Sequence, residues 1–561
     1  MRKCIGLDVG GTFTDIVLLQ GETIESVGKV RTEEQDILGT VLRALDSLDA
    51  KDARHVDRIT VSTTLATNAI VQEKLSRVEL VLFPGSGIVP GSFKWPFAFH
   101  TLSGEMDFRG RVVREPDLKE WRELAEKLKC ADLPESPLVC IVSKFSHRNK
   151  IFEEQLAAFL RKEVPQARFA LGHEWGQINF YRRVQTSYLD LATRRIYEEF
   201  SQGLQEAVRV RGYAAPVSVL KADGGMLPIE KASAVQTIYS GPAASVLGAL
   251  AQTEGQESFF VVNIGGTTTD IGAVLSGVPL LGARGACIGA YTTNVRSLAV
   301  RSAPVGGDST VCFAEGKISL AESREGPASC LGGPALTPTD AMRYLNLTDH
   351  GDRQRAEEAL LRVLPEGRGS VQEVTALAEG IITEMTLKIH EAMKALHCEW
   401  EDEPAYRVWE VLCHESKRDL YVQLSGGSAL ALAEAFARRM SLRVELAEHA
   451  QSTNALGSAL ARPSFSSTLH LDTLLGQYRI EETGEQGKWT GCKRPHEDAV
   501  EFLRGVMERR ARDMGLELGA GVEVDDFSYF PQVEDSWTVG QIVQGAMHMP
   551  VGVLGRVRTY E

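Results

Sequence analysis

Residues 7–16 read LDVGGTFTDI, and residues 262–271 read VNIGGTTTDI. Both copies carry a glycine pair, outer threonines, a closing aspartate and an isoleucine, with apolar runs on either side. Short apolar runs around a glycine pair predict two β-strands joined by a tight turn. The ordinary interpretation is a pair of hairpins in which the glycines only form the turn. A pattern repeated at this many positions exceeds what turn chemistry requires, which favours a shared function.

Two such hairpins facing each other are suited to hold the phosphates of one nucleotide. Glycine lacks a Cβ, so backbone N–H groups in the turn can approach an anion closely. Threonine hydroxyls add donors, and an aspartate at the end of a strand can hold Mg²⁺ through water. The pattern is neither a P-loop, because no Gly-Lys-Ser/Thr follows, nor a dinucleotide fingerprint, which opens a helix. We therefore predict a clamp for the phosphates of ATP.

Length and composition indicate a multidomain protein of the ordinary globular class. The chain has 561 residues, 43% hydrophobic and 24% charged, and a net charge of −14. This charge argues against nucleic-acid and anionic-membrane partners. The nine cysteines form no CxxC pair, which is typical of reduced thiols. With no room for a signal peptide before the first strand and no long apolar run, we expect a soluble, cytoplasmic protein.

Strand and helix patterns alternate along the chain, as in α/β folds. Residues 60–70, TVSTTLATNAI, predict a short strand and a helix start rich in hydroxyls. Ser62 or Thr63 would cap this helix, or the segment would form a wall of a substrate or phosphate site. His147 follows a predicted strand, where open α/β sheets place ligands. A lone histidine is nevertheless more often structural or merely exposed.

Later segments allow similar pairs of interpretations. Ser240 is expected to cap the helix that begins SGPAAS, although a helix start without bulky side chains also suits an anion. Residues 302–339 lack periodicity, and such long loops tend to be functional or disordered. The strand–glycine pair–helix pattern at 425–429 suits contact with adenine or ribose, but it is also a common α/β turn. Beyond Arg462 no motif is legible, and 551–557 predicts a final strand.

In these segments the chain resembles the hydantoinase A/5-oxoprolinase family. The matching stretches are LDVGGTFTDIVLL, TTLATNAIV, ADGGMLPIEKA with SGPAAS, NIGGTTTDIGAV, LTPTDA and SGGSALALAEAFA. The resemblance implies an α/β fold with two RNase H-like lobes of the actin, Hsp70 and sugar-kinase type, an interlobe nucleotide cleft for ATP and Mg²⁺, and a C-terminal extension. The implied regions are 1–215 with the first lobe, 216–461 with the second, and 462–561 of unknown role.

The resemblance also implies roles for individual residues. The nucleotide-binding residues are Gly10, Gly11, Thr12, Thr14, Gly265, Gly266, Thr267, Thr268, Gly426 and Gly427. The metal-binding residues are Asp8, Asp15 and Asp270, and the catalytic residues are Asp8, Asp270 and Asn263. Asn263 departs from the family pattern, which has aspartate there, and residues 303–309 replace a glycine-rich stretch. Restoring the carboxylate with Asn263→Asp is therefore expected to raise basal ATP hydrolysis.

The function implied is that of an ATP-dependent hydrolase or carboxylase-type subunit. It would activate a small cyclic amide or a ketone by phosphorylating its oxygen, form an oligomer, and work with a B-type partner subunit. The alternative is an ATP-driven switch, like Hsp70-type or reactivase proteins, that acts on a protein partner. A pocket lined by Thr63, Thr64 and Asn68 would favour the enzyme. Slow ATP hydrolysis stimulated only by a protein would favour the switch.

Overall fold

The computed structural model describes most of the chain. The described residues are 2–33, 35–48, 55–93, 95–130, 136–254, 257–282, 284–322, 324–365, 369–402, 420–439, 442–491, 495–516, 518, 521–525 and 527–557.

Helices and strands alternate through the first two-thirds of the chain, and strands dominate its end. The helices are α1 (Ile37–Asp46), α2 (Leu65–Val71), α3 (Leu118–Cys130), α4 (Ile151–Glu163), α5 (Phe180–Val210), α6 (Ser240–Ala251), α7 (Pro338–Tyr344), α8 (Arg353–Val363), α9 (Val371–Glu401), α10 (Ala429–Arg439), α11 (Thr453–Leu460) and α12 (Pro495–Asp513). The first twelve strands are β1 (Lys3–Val9), β2 (Phe13–Gln20), β3 (Thr23–Arg31), β4 (Arg58–Thr63), β5 (Val78–Phe83), β6 (Phe99–Thr101), β7 (Glu105–Met106), β8 (Val112–Arg114), β9 (Leu138–Ser143), β10 (Arg168–Leu171), β11 (Val217–Leu220) and β12 (Met226–Pro228). The remaining strands are β13 (Phe259–Ile264), β14 (Thr269–Leu275), β15 (Val278–Pro279), β16 (Cys287–Ile288), β17 (Tyr291–Thr292), β18 (Val300–Ala303), β19 (Val311–Ala314), β20 (Lys317–Leu320), β21 (Tyr421–Ser425), β22 (Val444–Leu446), β23 (Ser466–Asp472), β24 (Gln477–Ile480), β25 (Gln486–Lys488), β26 (Glu523–Val524), β27 (Ser528–Glu534) and β28 (Trp537–His548).

Two sheets share one strand order, and this order is that of RNase H-like lobes. The first sheet runs β12-β11-β4-β1-β2-β3, with β1, β4 and β11 parallel, β2 antiparallel to both β1 and β3, and β12 antiparallel to β11. The second runs β15-β14-β13-β21-β22, with β13, β21 and β22 parallel. Strands β1 and β13 are buried on both faces, which explains their nearly continuous apolar sequences. The predicted two-lobe α/β fold is confirmed.

Two helices cross between the lobes. Helix α6 follows the first sheet but packs on β13 and β14, whereas α11 follows the second sheet but packs on β1, β2 and β4. The helices touch at the backbone, since a Cβ on Gly248 would lie 1.8 Å from the Thr453 carbonyl oxygen and one on Gly457 would lie 2.0 Å from the Ala244 oxygen. Only glycine permits this approach.

The boundaries of the lobes differ from the predicted regions. Strands β11 and β12 pair into the first sheet, so that sheet extends to Pro228, beyond residue 215. The C-terminal region forms its own sheet, β25-β24-β23-β28-β26, with β27 beside β28. Its apolar face joins α12 and the first lobe in one continuous core. The strand predicted at 551–557 was wrong, because these residues form only an isolated bridge between Val553 and Ala461.

Two other expectations are resolved by packing. His147 is buried at the end of the parallel sheet β10-β9-β5-β6, within 3.4 Å of Arg183. Burial and the Arg183 charge hold the pKa of His147 well below its ordinary value, which agrees with a structural role. The region 302–339 contains the β19–β20 hairpin rather than one irregular loop. Among the described helices, none has both the length and the apolar character that crossing a membrane requires.

Candidate functional site

The first loop is the tight turn between β1 and β2. Gly10 N–H donates to the Phe13 carbonyl oxygen at 3.2 Å, and Gly10, Gly11 and Thr12 remain partly exposed. Thr14 is fully buried, and its hydroxyl lies 2.9 Å from that of Thr32. The structure therefore brings the glycine pair and Thr12 to the surface of the site, whereas the Thr14 side chain holds the hairpin from within.

The second loop repeats this construction between β13 and β14. Gly265 N–H donates to the Thr268 carbonyl oxygen at 3.0 Å, and Thr267 is exposed. The segment 304–309 lies directly against this loop. Gly307 N–H donates to the Gly265 oxygen at 2.9 Å, and Asp308 N–H donates to the Gly266 oxygen at 2.7 Å. This segment thus supports the second loop, even though its sequence departs from the family pattern.

The two loops face each other, and an arginine joins them. A Cβ placed on Gly266 would lie 3.7 Å from Thr12 Oγ1 and 2.6 Å from Asp308 Oδ2. Arg324 donates from Nη1 to Thr12 Oγ1 at 2.9 Å, and the same atom lies 3.8 Å from Asp308 Oδ2. Burial raises the pKa of Asp308, and the nearby Arg324 charge opposes this. A guanidinium therefore lies beside Thr12 of the first loop and near Asp308, which contacts the second loop, and an anion would be attracted there.

The three predicted metal-binding carboxylates occupy matching positions at the two loops. Asp8 opposes Asp15 in the first hairpin, and Asn263 opposes Asp270 in the second. Burial raises the pKa of Asp8 and that of Asp270 to about 6. Burial also raises the pKa of Asp15, although Lys29 lies 2.8 Å away and opposes the shift. Within the described chain, neither Asp8 nor Asp270 forms an ion pair.

These carboxylates do not form a ready set of direct metal ligands. No group of three or more His, Cys, Asp or Glu side chains among the described residues could hold a metal ion. Mg²⁺, however, keeps several waters and binds through one or two carboxylates and substrate phosphates. Because neither Asp8 nor Asp270 forms an ion pair within the described chain, their carboxylate oxygens suit such a metal ion. The donor set therefore fits Mg²⁺ held by Asp8 or Asp270, largely through water.

Asn454, which no sequence motif singles out, connects the two loops. Its Nδ2 donates to Asp8 Oδ2 at 2.9 Å, and its Oδ1 accepts from Asn263 Nδ2 at 3.1 Å. Asp8 Oδ1 also accepts from the Ser62 hydroxyl at 2.6 Å. Ser245 completes this network by donating to Asn454 Oδ1 at 2.8 Å and accepting from Asn263 Nδ2 at 2.9 Å.

The predicted adenosine-side turn lies behind the second loop. Gly426 has a φ of +93°, and a Cβ there would lie 2.4 Å from the Ile264 oxygen and 2.6 Å from Asn263 Oδ1. Glycine is therefore required by both conformation and space. Gly427 is exposed and faces open space, with no atom within 4 Å of its Cβ position. A ligand beside the second loop would meet this open face.

A pocket adjoins the first loop. It has a volume of about 210 Å³. Its lining includes Gly10, Gly11, Thr32, Thr63, Thr64, Asn68 and Lys74. Lys74 is the charged member of the lining within the described chain. Asn68 donates to the Thr64 hydroxyl at 3.3 Å, which orients two neutral polar groups toward the pocket. Thr63, Thr64 and Asn68 thus line a pocket, which is the arrangement that would favour the enzyme over the switch.

The helix caps predicted beside this pocket were partly wrong. Thr64 is the N-cap of α2 without a side-chain bond, whereas the Thr63 hydroxyl accepts from Leu65 N–H at 3.1 Å. Tyr239, with a φ of 57°, occupies the N-cap of α6. The Ser240 hydroxyl instead donates to the Thr63 oxygen at 2.8 Å and accepts from Thr63 N–H at 3.1 Å. Ser240 therefore fixes the pocket wall and does not cap its helix.

Sequence profiles of two protein regions match this chain. The profile described as Hydantoinase/oxoprolinase matches residues 183–466, and that described as Hydantoinase/oxoprolinase N-terminal region matches residues 4–164. Among curated proteins, the acetophenone carboxylase gamma subunit of Aromatoleum aromaticum is 25% identical over 68% of this chain and 59% of its own length. The caprolactamase subunit alpha of Pseudomonas jessenii is 25% identical over 48% of this chain and 42% of its own length. The chain thus spans about half the length of these relatives.

Solved structures show the same fold. A nucleotide-free acetone carboxylase structure matches with a TM-score of 0.76 and 16% identity, covering 100% of this chain and 89% of that one. The ATP-dependent caprolactamase from Pseudomonas jessenii matches with a TM-score of 0.70 and 19% identity, covering 99% of this chain and 88% of that one.

Proposed function

Because the chain belongs to the hydantoinase/oxoprolinase family, we propose that it is an ATP-dependent enzyme subunit. It activates a small cyclic amide or carbonyl compound by phosphorylating the substrate oxygen. The single observation that carries this proposal is the meeting of two glycine loops around Arg324, next to a pocket that opens on the first loop. Phosphoryl transfer depends mainly on positioning and on neutralising charge. The two loops would position the phosphates, and Arg324 would neutralise part of their charge.

The two loops would hold the phosphates of ATP from opposite lobes. Backbone N–H groups at Gly11 and Gly266, with the Thr12 and Thr267 hydroxyls, are the donors, because the N–H groups of Gly10 and Gly265 already close their own turns. Thr268 contributes its backbone to the second turn. The exposed face of Gly427 leaves space for the nucleoside end. Arg324 would exchange its bond to Thr12 for phosphate oxygens, since guanidinium groups bind phosphate strongly and directionally.

Asp8 or Asp270 would hold Mg²⁺ with the phosphates, largely through water, whereas Asp15 is paired with Lys29. When bound, Mg²⁺ neutralises phosphate charge and so favours transfer. Asp8 is fixed by Ser62 and Asn454 and needs no reorientation when the nucleotide arrives. Asn263 carries no charge, and its role is to hold the network of which Asp8 is part.

The substrate would occupy the pocket lined by Thr63, Thr64 and Asn68. Their hydroxyl and amide groups can orient a neutral carbonyl or amide, and the pocket lies next to Gly10 and Gly11. A bond forms from the substrate oxygen to the γ-phosphorus while the bond from that phosphorus to the bridging oxygen breaks, leaving ADP. In a cyclic amide the phosphorylated oxygen makes the ring carbon more electrophilic toward water. In a ketone an α-proton is lost to solvent as the oxygen is phosphorylated, and the resulting enol phosphate yields the enolate for carboxylation when its phosphate is released. A pocket for a small molecule supports this enzyme over the protein-driven switch.

The relatives named as subunits support a partner subunit, which would complete the reaction. We further propose that residues 1–228 contain the first lobe, that residues up to 461 contain the second, and that 462–557 form a separate sheet attached to the first lobe. Cys4, Cys130, Cys140, Cys287, Cys312, Cys330 and Cys398 are free thiols, which supports the predicted cytoplasmic location. An oligomer stays a prediction.

An ATP hydrolysis assay with Mg²⁺ tests the proposal. Cyclic amides and ketones would be screened with and without bicarbonate, and products would be identified by mass. Ring opening without bicarbonate assigns a hydrolase, whereas bicarbonate-dependent turnover with a ketone assigns a carboxylase. Turnover that responds to neither class, alone or with a B-type partner subunit, would contradict the proposal.

A further inference from the structure

Asp8, Asn454 and Asn263 form one line of hydrogen-bonded side chains between the lobes. All three are at the ends or starts of different elements: Asp8 near the end of β1, Asn263 near the end of β13, and Asn454 in the first turn of α11. Asp8 and Asn263 are buried, with 7% and 8% of their surfaces exposed. Buried polar groups must match donor to acceptor, because an unmatched group loses its hydration without compensation.

The chemistry of this line is ordered. A carboxylate only accepts hydrogen bonds, whereas a side-chain amide donates at one end and accepts at the other. Asn454 turns its donor end to Asp8 and its acceptor end to Asn263, which must therefore donate. One amide cannot satisfy a carboxylate on each side, because its oxygen would then face one of them. The hydrogen-bonding pattern therefore permits a carboxylate at residue 8 on the first loop and requires an amide at residue 263 on the second.

The backbone around Asn454 cannot shift to relieve a mismatch. A Cβ on Gly6 of β1 would lie 1.9 Å from the Ala455 oxygen, so α11 rests directly on that strand. Gly457 and Gly248 bring α11 equally close to α6. Ser458, one turn after Asn454, lies 2.9 Å from the Ser62 hydroxyl that binds Asp8. The helix is therefore fixed on both sides, and only rotation of the Asn454 amide remains.

We propose that Asn454 is a positioning residue that makes the charge difference between the two loops obligatory. Asn263 is then a matched partner of Asn454 and not a weakened form of an aspartate. The amide line orients the Asp8 carboxylate toward the first loop and ties it to the second, so both loops keep one relative arrangement. The pairing rests on the hydrogen bonds alone, whereas its effect on ATP turnover rests on the proposed function.

This inference reverses the expectation for Asn263→Asp. A carboxylate at 263 would face Asn454 Oδ1, which now accepts a hydrogen bond at 3.1 Å. Rotating the amide would satisfy residue 263 but turn Asn454 Oδ1 toward Asp8 Oδ2, now 2.9 Å from Nδ2. Either arrangement leaves two acceptors in contact. The variant should lose stability and ATP turnover instead of gaining hydrolysis.

Exchanging the two side chains supplies the decisive control. In Asp8→Asn combined with Asn263→Asp, the Asn454 amide can rotate, accept from residue 8 and donate to residue 263. Ser62 can still donate to residue 8, and Ser245 can donate to the carboxylate at 263. Every group in the line is matched again, but the negative charge has moved from the first loop to the second. The exchange therefore separates hydrogen-bond matching from the position of the charge.

The experiment measures thermal unfolding and ATP turnover of the full chain for wild type, both single variants and the exchange variant. Asn179→Asp is the matched control, because Asn179 is an exposed helix N-cap that accepts from Arg182 N–H, where aspartate serves equally well. We expect Asn263→Asp to melt below wild type and below this control, and the exchange to recover at least half of that loss. Turnover in the exchange variant should stay at least about tenfold below wild type, because the charge lies on the wrong loop.

An Asn263→Asp variant that melts like wild type, or an exchange variant that melts below Asn263→Asp, would overturn the pairing. If Asn263→Asp fails to fold, folding of the exchange variant supports the pairing and its failure overturns it. Wild-type turnover in the exchange variant would overturn the role of Asn454 in placing the charge. Absence of ATP turnover in wild type with every substrate would refute the proposed function alone, because the melting series judges the pairing independently.

Discussion

Asp8 and Asn263 stand at equivalent positions of the two hairpins and bind opposite ends of one amide. Asp8 Oδ2 accepts from Asn454 Nδ2 at 2.9 Å, and Asn263 Nδ2 donates to Asn454 Oδ1 at 3.1 Å. Asn454 thus joins the two loops through residues that precede their glycine pairs. Arg324 joins them through Thr12, which follows the first pair, and Asp308, which contacts the second. This arrangement places the charged side chain on the first lobe and its neutral counterpart on the second.

Replacing Asp8 with asparagine should stabilise the metal-free protein while reducing its activity. Burial raises the pKa of Asp8 from 3.8 to about 6, so the ionised form destabilises the fold at neutral pH. Asparagine avoids this, since it can accept from Asn454 and donate to Ser62. We expect a gain on the order of 1–3 kcal/mol above pH 6 and a loss of ATP turnover of about 10²-fold.

The stabilising effect of Asp8→Asn should depend on pH, because the pKa of Asp8 in the folded chain lies above its ordinary value. A pKa that is higher in the folded than in the unfolded chain favours folding at low pH, and this contribution is lost as the pH rises through about 6. The stability difference should therefore vanish below about pH 4. Thermal melts in a chelator across this range measure it. A pH-independent Asp8→Asn effect would contradict the prediction.

Replacing Arg324 with methionine should weaken ATP use without unfolding the protein. Arg324 is partly exposed and bonds Thr12 across the cleft, so its removal breaks one contact and takes away the positive charge between the loops. We expect turnover to fall by about 10–10³-fold. Arg438→Met, on the exposed face of α10, is the control. Equal ATP turnover in the two variants would show that Arg324 does not meet the phosphates.

The glycine pair at 426–427 should respond differently at its two positions. Gly426→Ala would collide with the Ile264 oxygen at a φ of +93°, whereas Gly427→Ala meets no atom within 4 Å. Only Gly426→Ala should lower the melting temperature, by strain of at least about 1–3 kcal/mol. Calorimetry with ATP should show weaker binding for Gly427→Ala despite its intact fold. Unchanged affinity would remove the turn from the nucleotide site.

Filling the pocket with Asn68→Leu should separate substrate binding from nucleotide binding. Asn68 lines the pocket, and its Nδ2 lies 4.0 Å from the Cβ position of Gly11. We expect the KM for the organic substrate to rise by at least about tenfold, because a polar contact is lost and the volume shrinks. Affinity for ATP alone should stay within about twofold. A loss of affinity for ATP with an unchanged KM for the organic substrate would mean that the nucleotide occupies the pocket.

The lobes and loops were predictable from sequence because their signals are local. The repeated glycine pair between apolar runs predicts a hairpin, and β1–β2 and β13–β14 form these two hairpins. Which threonine side chains face the site could not be predicted in the same way. Thr14 has the same residue type as Thr12, and only the packing of Thr32 against it decides that it faces inward.

The residues that join the loops were missed because their roles arise from packing between distant segments. Asn454 lies 446 positions after Asp8 in the sequence, within a helix of small residues that carries no catalytic pattern. A signal was present nonetheless, since Gly248 and Gly457 interrupt helices where alanine would serve, which indicates a close helix crossing. Arg324 lies in the aperiodic region 302–339. The length of this region suggested a functional or disordered loop, but nothing in the sequence singled out Arg324.

The most direct measurement is an experimental structure of the protein with a non-hydrolysable ATP analogue and Mg²⁺. We predict phosphate oxygens within hydrogen-bond distance of a backbone N–H group in each glycine pair, at Gly11 and at Gly266. Arg324 should have left Thr12 for the phosphates, and Asn454 should still join Asp8 to Asn263. A nucleotide that touches one lobe only, or that lies outside this cleft while the loops stay in contact, would contradict the account.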